Sequence, residues 1–346
     1  MKPLFFSIII ASRDVDPYLV HEGFDAIGSL THKNFEVLLI VDKLTKETTD
    51  IQKKYTWLKV FDLHNKPGDK RDHAAKRAKG DILAFIDADV APRKDWLTKA
   101  QQVFREHKEI VGLGGPGVLP KKVNKWERIF DEVLQSWLGG GGYTYRFVPK
   151  SERYVDDYPS MNLLIKRNIF LKIGGFQNMY WPGEDSKLTN NLVHKNNYLI
   201  LYHPDVVVYH HRRDTIAGHL DQYKNYGKTR GAFFIQGDTN SLRFQYIIPG
   251  LFFLYAILYF FSALLYILQP YNQLHFAAIS FPMSLYLLLL VIASIQSYFK
   301  TKHIVTTIGI FFILPLTHAV YGFNFIKATI IEIFRKPQEP AIVKKK

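Results

Sequence analysis

Residues 82–89 read ILAFIDAD, an apolar run of strand-forming residues that ends in two carboxylates, Asp87 and Asp89. Carboxylates this close repel each other, and burying them without a partner costs free energy. Hard carboxylate oxygens suit Mg²⁺ or Mn²⁺, which also bridge to substrate phosphates. The stretch therefore predicts a divalent-metal site at the end of a strand. The alternative is a turn or a helix N-cap, because Pro92 follows closely and the two carboxylates share a side only if the strand stays extended.

Earlier apolar runs in the chain have the same strand-forming character, and polar stretches of helix-compatible length separate them. They are residues 5–11, 37–41 and 58–63. This alternation predicts βαβ units around a mostly parallel sheet covered on both faces. Ser12 and Arg13 follow the first run and Asp42 follows the second. Because ligands of such sheets bind at the carboxyl ends of the strands, we expect these polar residues to lie at one edge with Asp87 and Asp89.

Helical spacing of apolar residues predicts amphipathic helices over 96–107 and 126–137. Between them, GLGGPG at 112–117 predicts a loop or a strand end. Four consecutive glycines, 139–142, then stop the second helix. They predict a flexible turn, and a mobile active-site loop is the alternative.

A second acidic pair, Glu184 and Asp185, follows Trp181-Pro182-Gly183, and the apolar residues after it suggest a helix that begins here. Carboxylates in the first turn of a helix are favoured by its dipole, which is the structural alternative. The functional interpretation is a general base held at a rigid helix start.

The C-terminal third contains long stretches without Asp, Glu, Lys or Arg, interrupted at Lys300 and Lys302. Each exceeds the ~18–20 residues that cross a bilayer core, and a soluble helix rarely runs so long without a charge. We predict membrane helices at about 246–268, 274–299 and 304–326.

The composition narrows the possible partners. The 346-residue chain is 47% hydrophobic, carries a formal net charge of +14 and has no cysteine. Disulfides, thiolate nucleophiles and zinc–thiolate sites are therefore excluded. The positive charge suits nucleic acid, anionic lipid or a phosphorylated small molecule. No nucleic-acid-binding motif is found, so we expect no nucleic-acid partner.

The apolar segment at the start of the chain is followed directly by Arg13 and Asp14 and lacks a cleavage site, which favours a buried strand over a signal peptide.

At this point an ordered set of motifs resembles the inverting glycosyltransferases of family 2, which have the GT-A fold. The motifs are ASR (11–13), VD (41–42), KPGDKRDHAAKRAKGD (66–81), FIDAD (85–89), NLLIKRNIFLKIGGF (162–176) and GED (183–185). The C-terminal helices resemble those of bacterial membrane-bound members that build exopolysaccharides, including succinoglycan-type glucosyltransferases. The resemblance implies an α/β fold with a GT-A-type, mostly parallel, Rossmann-like nucleotide-binding sheet, followed by an α-helical transmembrane region.

The resemblance also implies roles for single residues. Nucleotide-sugar binding falls to Ser12, Arg13, Asp42, Lys70, Arg71, Asp72, Asp87 and Asn162. Asp89, together with Asp87, would hold Mn²⁺ or Mg²⁺ on the donor diphosphate. Asp185 would be the catalytic base, with Glu184 beside it.

A histidine pair, His210 and His211, follows the apolar run 206–208. Some members of the family use a histidine at this place as a metal ligand. Strand alternation lets only one of the pair face the site. The predicted metal ligand is His211, although which of the two faces the site stays open, and an exposed polar strand end is the alternative. Binding of phosphate or lipid headgroups by Arg212 and Arg213 is a further alternative for this segment.

The predicted organisation is a glycosyltransferase domain (1–218), an interfacial segment (219–243), membrane helices (244–330) and a basic tail (331–346). The interfacial helix, His219–Ile235, has basic and aromatic sides, and a plain linker helix is the alternative. Three spans place the tail outside, against the positive-inside tendency. Either the tail is tolerated there, or one segment is re-entrant or interfacial.

The predicted function is transfer of one sugar from a nucleotide-diphosphate sugar, preferably a UDP-sugar, to a hydroxyl of a polyprenyl-linked glycan. We expect the enzyme in the inner membrane with its catalytic domain in the cytoplasm. Processive members carry Gln-x-x-Arg-Trp, whereas residues 222–231 read QYKNYGKTRG, which favours a single addition. The alternative is a non-catalytic membrane-anchored scaffold that binds nucleotide sugars. An aspartyl-phosphate phosphatase is disfavoured because Ala91 stands where its motif needs Thr or Val.

Overall fold

The structure is a computed structural model that describes residues 3–176, 180–269 and 273–335. Residues 336–346 of the predicted basic tail, and 270–272 of the turn before the second predicted span, lie outside the described residues. The chain forms two compact units. One comprises Met1–His219 with Ser284–Pro315, and the other Leu220–Met283 with Leu316–Lys346.

Strands and helices alternate along the first unit, and long helices follow. The strands are β1 Phe6–Ala11, β2 Phe35–Val41, β3 Leu58–Asp62, β4 Ile82–Ile86, β5 Val90–Pro92, β6 Ile110–Gly114, β7 Gly117–Val118, β8 Arg153–Val155, β9 Asn162–Lys166, β10 Leu199–Tyr202 and β11 Val208–His210. The helices are α1 Phe24–Gly28, α2 Lys46–Lys54, α3 Pro67–Arg77, α4 Trp96–Glu106, α5 Lys125–Gln135, α6 Arg167–Lys172, α7 Glu184–Asn190, α8 Ile216–Ile235, α9 Phe244–Leu268, α10 Gln273–Thr301 and α11 Ile304–Ile333.

Within the described ranges, the main sheet has eight strands in the order β3-β2-β1-β4-β9-β6-β10-β8. The first four strands pair in parallel, whereas β9 runs antiparallel to both β4 and β6. Ile8 and Ile10 of β1, Leu39 of β2 and Ile86 of β4 are completely buried in one core cluster. The sheet is buried on both faces because its central strands are apolar almost throughout. The predicted α/β architecture with a mostly parallel sheet is therefore confirmed.

A second, three-stranded sheet has the order β5-β11-β7. Its strand β11 pairs antiparallel with β5, so that His210 lies opposite Val90 and Val208 opposite Pro92. Because β5 begins one residue after Asp89, this pairing brings the end of β11 to the end of β4. The contact joins residues about 120 positions apart in the chain.

Asn162, at the start of β9, is completely buried. Its amide nitrogen donates to the carbonyl oxygens of Gly115 and Val206, both at 2.7 Å, and its side-chain oxygen accepts from the indole nitrogen of Trp96 at 3.0 Å. These bonds tie β9 to α4 and to the loops that precede β7 and β11. The predicted contact of Asn162 with donor or acceptor stays a prediction, and the bonds described here are internal.

We predict that Asn162→Ala lowers the free energy of unfolding by several kcal/mol. Two carbonyl oxygens and one indole N–H lose a buried partner, and each orphaned group costs about 1–3 kcal/mol. Thermal unfolding of the detergent-purified protein measures this, with the exposed Asn196→Ala as the control. An unchanged melting temperature for Asn162→Ala would contradict the structural role.

The first two glycines of the run 139–142 are closely packed, whereas Gly141 and Gly142 are exposed and begin a short 3-10 helix, Gly141–Arg146. A Cβ on Gly139 would lie 2.2 Å from the carbonyl oxygen of Val133, and one on Gly140 would lie 1.9 Å from that of Leu134. Glycine is needed here because the chain folds back onto the end of α5. The structure thus gives Gly139 and Gly140 a packing role that the sequence pattern did not indicate.

Among the described residues, α9, α10 and α11 are long and apolar enough to cross a membrane, with 25, 29 and 30 residues. They lie where the sequence predicts apolar helices, and to that extent the prediction of a C-terminal α-helical region of transmembrane character is confirmed. At ~1.5 Å per residue, all three helices are longer than the ~30 Å core of a bilayer. The division into domains, and the crossing itself, stay predictions.

One part of the α10–α11 hairpin, residues 284–315, belongs to the first unit. Its apolar side chains Leu290, Ile310, Ile313 and Leu314 form a buried cluster with Ile129, Phe130 and Val133 of α5. A Cβ on Gly309 would lie only 2.6 Å from the side chain of Ile129. The hairpin is therefore packed against α5 on one face, whereas the sequence analysis treated its helices as spans only.

In the second unit, α8 packs on α11 through glycines. Cβ atoms on Gly227 and Gly231 would lie 2.4 Å and 2.3 Å from the carbonyl oxygens of Tyr321 and Phe325. Arg230 is buried, donates to the Ser241 hydroxyl at 2.9 Å and lies over the Tyr246 ring at 4.2 Å. An interfacial role for this helix stays a prediction, and its glycine face is a helix–helix contact.

The buried ring of His219 stacks on Phe130 of α5 at 4.1 Å, and burial lowers the pKa of His219 to about 4 from its ordinary 6.5. The folded state therefore favours the neutral ring. As the pH falls from 6.5 to 4, the unfolded chain takes up a proton that the folded chain does not. Stability contributed by neutral His219 is thus present above pH 6.5 and is lost through this window.

We predict that His219→Phe, which keeps the stacking, flattens the fall in stability between pH 6.5 and 4 by about 3 kcal/mol. Melting temperatures across that range measure the effect, with the exposed His21→Phe as the control. Equal slopes for the His219 variant and the unaltered protein would rule the explanation out.

Candidate active site

Asp87, Asp89 and His210 offer ligand atoms that all lie within 4.8 Å of one another. Asp87 to Asp89 form a turn between β4 and β5 rather than a continued strand, so the turn and not strand extension brings the two carboxylates together. Two carboxylates and an imidazole form a donor set that suits Mn²⁺ and, for its oxygens, Mg²⁺. The residues therefore fit the cation that the sequence analysis expected.

His210, not its neighbour, is the histidine of this cluster. Its Nε2 lies 3.3 Å from Asp89 Oδ1. The buried ring of His211 points elsewhere: its Nδ1 lies 2.7 Å from Glu127 Oε1, its Nε2 lies 3.3 Å from Glu22 Oε2, and Tyr18 stacks on it at 3.9 Å. The sequence analysis chose His211, and the geometry leads us to carry His210 forward as the metal ligand instead.

Asp89 is held as a carboxylate. Burial by itself raises its pKa, but the charge of His210 and its hydrogen bond, with Arg213 nearby, outweigh burial and bring the pKa below the ordinary value. An ionised oxygen is what a hard cation requires.

Arg71, on α3, joins the two acidic pairs. Its Nη2 donates to Asp87 Oδ1 at 2.7 Å, and its Nη1 donates to Glu184 Oε1 at 2.9 Å. The side chain is 5% exposed. Burial lowers the pKa of Arg71, but the carboxylates of Asp87 and Glu184 more than compensate and raise it, so the guanidinium stays charged. One cation thus holds the end of β4 and the start of α7 together.

The neighbours of the second acidic pair distinguish its members. Glu184 is buried and is held by Arg71 and by the N–H of Gly183 at 3.1 Å. Asp185 is partly exposed, and its Oδ1 accepts from the N–H of Ser186 at 2.8 Å. Gly183 has φ +117°, a left-handed conformation that favours glycine before the helix. Asp185 is therefore the carboxylate with access to solvent.

A third group of polar residues lies after β1, β2 and β3. The buried Lys70 amine donates to the Ser12 carbonyl oxygen and to Asp42 Oδ1. His64 Nδ1 lies 3.1 Å from Asp42 Oδ2. The backbone N–H of Asp42 donates to the carbonyl oxygen of Arg13, which is an exposed residue. The hydrogen bond from Lys70 is the largest cause that lowers the pKa of Asp42. Both carboxylate oxygens of Asp42 therefore face cationic or hydrogen-bonding partners.

Asp72 faces a turn. Its Oδ1 accepts from the N–H of Phe176 at 3.0 Å, and a Cβ on Gly175, which has φ +73°, would lie 2.3 Å from that oxygen. This contact connects α3 with the GGF motif. A direct role of Asp72 in nucleotide binding stays a prediction.

Comparison with known proteins matches the N-terminal half of the chain to a family. Residues 7–176, which include Ser12, Asp42, Arg71 and the Asp87–Asp89 turn, match the family described as Glycosyl transferase family 2. The chain carries a glycosyl transferase family 2 domain. The resemblance drawn from the motifs is thereby confirmed, and the strand order with an antiparallel β9 confirms the GT-A type of its sheet.

Relatives of this family 2 domain include the glucosyl-dolichyl phosphate glucuronosyltransferase of Haloferax volcanii, 24% identical over 49% of this chain and 55% of that protein. The poly(ribitol-phosphate) beta-N-acetylglucosaminyltransferase TarS of Staphylococcus aureus is 30% identical over 33% of this chain and 22% of its own length. The chain thus spans about half, or less, of the curated relatives it matches.

Two solved structures are similar to the chain. The mannosyltransferase PcManGT from Pyrobaculum calidifontis, in complex with GDP-Man and Mn²⁺, has a TM-score of 0.48 and 15% identity, covering 66% of this chain and 64% of that one. TarS of S. aureus in complex with UDP-GlcNAc has a TM-score of 0.45 and 18% identity, covering 66% of each chain.

Sequence reasoning about the family 2 domain did not single out His64 or Glu127. His64 follows β3 at the same sheet edge as Asp42. The rule that ligands bind at the carboxyl ends of parallel strands, which predicted Asp42, therefore also applies to His64. Glu127 follows Asn124 by three residues, a spacing that is typical of a capping box at a helix start. This pattern does not predict the contact of Glu127 with His211.

We predict that His210→Ala weakens Mn²⁺ binding to the purified protein by at least about tenfold. The variant lacks one of the proposed metal ligands, and loss of a residue that only supports a ligand already costs ~10–100-fold in affinity. Mn²⁺ titration followed by electron paramagnetic resonance measures this, with His21→Ala as the control. Equal affinities for His210→Ala and the unaltered protein would remove His210 from the metal site.

Proposed function

We propose that the protein is a membrane-bound, inverting glycosyltransferase that moves one sugar from a nucleotide-diphosphate sugar to a hydroxyl of a lipid-linked glycan. One observation carries the proposal. Arg71 bonds to Asp87 of the cluster suited to a metal and to Glu184, which lies next to the accessible Asp185. A site for a leaving diphosphate and a site for a base are thereby held by a single buried guanidinium.

The donor end of the site is formed by Asp87, Asp89 and His210, which would hold the divalent cation. When bound, a cation there supplies positive charge to the departing diphosphate. The nucleoside would lie toward Asp42, Lys70 and the segment that starts at Ser12, where the carboxyl ends of β1 and β2 meet. The donor we propose is a UDP-sugar.

The acceptor end is formed by the first turn of α7. Asp185 takes the proton of the acceptor hydroxyl, and the hydroxyl oxygen forms a bond to the anomeric carbon. The bond from that carbon to the diphosphate oxygen breaks, and its electron pair leaves with the diphosphate. Attack opposite the leaving group inverts the anomeric centre. Glu184 is neutralised by Arg71 at 2.9 Å, so it orients the helix start and leaves the base role to Asp185.

The acceptor class is supported by two features. The helices α9, α10 and α11 have the length and apolar composition of membrane spans. The Haloferax relative is named for a glucosyl-dolichyl phosphate acceptor, a lipid-linked sugar. We therefore propose that the acceptor is polyprenyl-linked, that the protein acts in the inner membrane with its catalytic domain in the cytoplasm, and that it adds one sugar per encounter.

We predict that Asp89→Asn and Asp185→Asn each lower turnover of the nucleotide sugar at least 100-fold, for different reasons. Asp89→Asn loses a charged cation ligand and weakens Mn²⁺ binding. Asp185→Asn keeps Mn²⁺ and nucleotide affinity but has no base, and general-base catalysis contributes ~10²–10⁴-fold. The exposed Asp50→Asn is the control.

The test is a screen of UDP-, GDP- and dTDP-sugars with Mn²⁺ and membrane-lipid extracts, with release of nucleoside diphosphate as the measurement. Full turnover by Asp185→Asn would contradict the assignment of the base. Binding of a donor without turnover by the unaltered protein, across donors and lipid acceptors, would instead support a non-catalytic scaffold.

A further inference from the structure

Helix α5 carries buried carboxylates outside the residues assigned to donor or acceptor. Glu127, Asp131 and Glu132 are 2%, 4% and 8% exposed. Taking a carboxylate out of water costs several kcal/mol, and ion pairs recover that cost only with good geometry. Such charges contribute little net stability, so their partners indicate what they do.

Glu127 contacts the residue that follows the metal ligand. Its Oε1 lies 2.7 Å from His211 Nδ1. Its Oε2 accepts from the backbone N–H of Asn124 at 2.9 Å, so the capping box and His211 each hold one oxygen of the carboxylate. The backbone N–H of His211 in turn donates to the carbonyl oxygen of Asp89 at 3.2 Å. Glu127 therefore holds a residue that is bonded to the Asp87–Asp89 turn.

Asp131 lies one helical turn further and contacts the next residue of the same segment. Its Oδ1 accepts from Arg212 Nε at 2.9 Å and from Nη2 at 2.8 Å. Arg212 also donates to the Gly117 carbonyl oxygen at 2.7 Å and to the His210 carbonyl oxygen at 3.2 Å, and its Nη1 lies 3.2 Å from His210 Nδ1. The ring of His210 is thus held between Arg212 and Asp89.

Glu132 points to the other side of α5, toward the hairpin. It accepts from Lys300 Nζ at 2.5 Å and from the Ser297 hydroxyl at 3.2 Å. The apolar residues Ile129, Phe130 and Val133 pack on the same hairpin. A single 11-residue helix therefore contacts the segment around the metal ligand through two carboxylates and the hairpin through a third.

We propose that Glu127 and Asp131 are positioning residues for the metal site. Glu127 acts through His211 on the Asp87–Asp89 turn, and Asp131 acts through Arg212 on His210. We further propose that α5 makes cation affinity depend on the contact of Glu132 with Lys300. The inference rests on the proposed function, because it assumes that Asp87, Asp89 and His210 bind a divalent cation. Outer-shell partners of metal ligands typically change metal affinity by ~10–100-fold. The contact of Glu132 with Lys300 is separated from the metal ligands by α5, so we expect it to have a smaller effect on metal affinity.

The test is Mn²⁺ affinity of the full chain in detergent, measured by electron paramagnetic resonance without donor or acceptor. We expect Glu127→Ala to raise the Kd about tenfold or more. Glu127→Gln keeps the shape and a hydrogen bond and recovers part of the affinity. Lys300→Met raises the Kd about threefold.

The matched control is Glu36→Gln. Glu36 is also buried and paired, with Lys59 at 2.8 Å and with Ser7 at 2.9 Å, but it lies near the start of β2, away from the carboxyl ends that bear the site. It should lower the melting temperature without changing the Kd. A change in Kd that follows melting temperature alone across these variants would show a merely structural role for Glu127.

The outcomes separate the two proposals. If the unaltered protein fails to bind Mn²⁺, the metal-dependent reaction proposed above is overturned. If it binds Mn²⁺ and Glu127→Ala and Glu127→Gln bind equally well, the positioning role alone is overturned. If the Glu127 variants lose affinity and Lys300→Met does not, the dependence on the hairpin is overturned and the positioning role stands.

Discussion

The arrangement of the site depends on the guanidinium of Arg71. Asp87, Asp89, Glu184 and Asp185 come to one sheet edge, and four carboxylates there repel one another. Arg71 bonds directly to Asp87 and Glu184 and is itself nearly inaccessible to water, so each partner is held by a charge-assisted hydrogen bond. This cation fixes the start of α7 relative to the end of β4, and with it the proposed base relative to the proposed metal ligands.

The same interaction separates the roles of two adjacent carboxylates. Glu184 is buried against Arg71, whereas Asp185 keeps partial access to solvent on the first turn of α7. The other side of the site is fixed by strand pairing, because β11 runs beside β5 and brings His210 to Asp89. Helix α5 then contacts the end of β11 on one side and the α10–α11 hairpin on the other. Its charged residues thus link the proposed metal site to helices of membrane-spanning character.

Many of the strands, the C-terminal helices and part of the site were predictable from the sequence, because they depend on local patterns of residues. Continuous β-branched and aromatic runs determine the strands β1 to β4, because such residues suit a sheet covered on both faces. The rule that ligands bind at the carboxyl ends of parallel strands then placed Ser12, Asp42, Asp87 and Asp89 at one edge. Long stretches without charge determined the C-terminal helices. The ordered motifs determined the family.

Only the tertiary structure determined the contacts between residues far apart in the chain. Strand alternation allowed either His210 or His211 to face the site, and the pairing of His210 with Val90 across about 120 positions selects His210. A ligand contact of Asn162 stays a prediction, and the tertiary structure adds three internal hydrogen bonds that the sequence did not indicate. The sequence analysis did not single out Glu127, and only packing against the end of β11 shows its bond to His211. Local patterns determine which segments form strands and helices, whereas the register and packing between them determine which side chains meet.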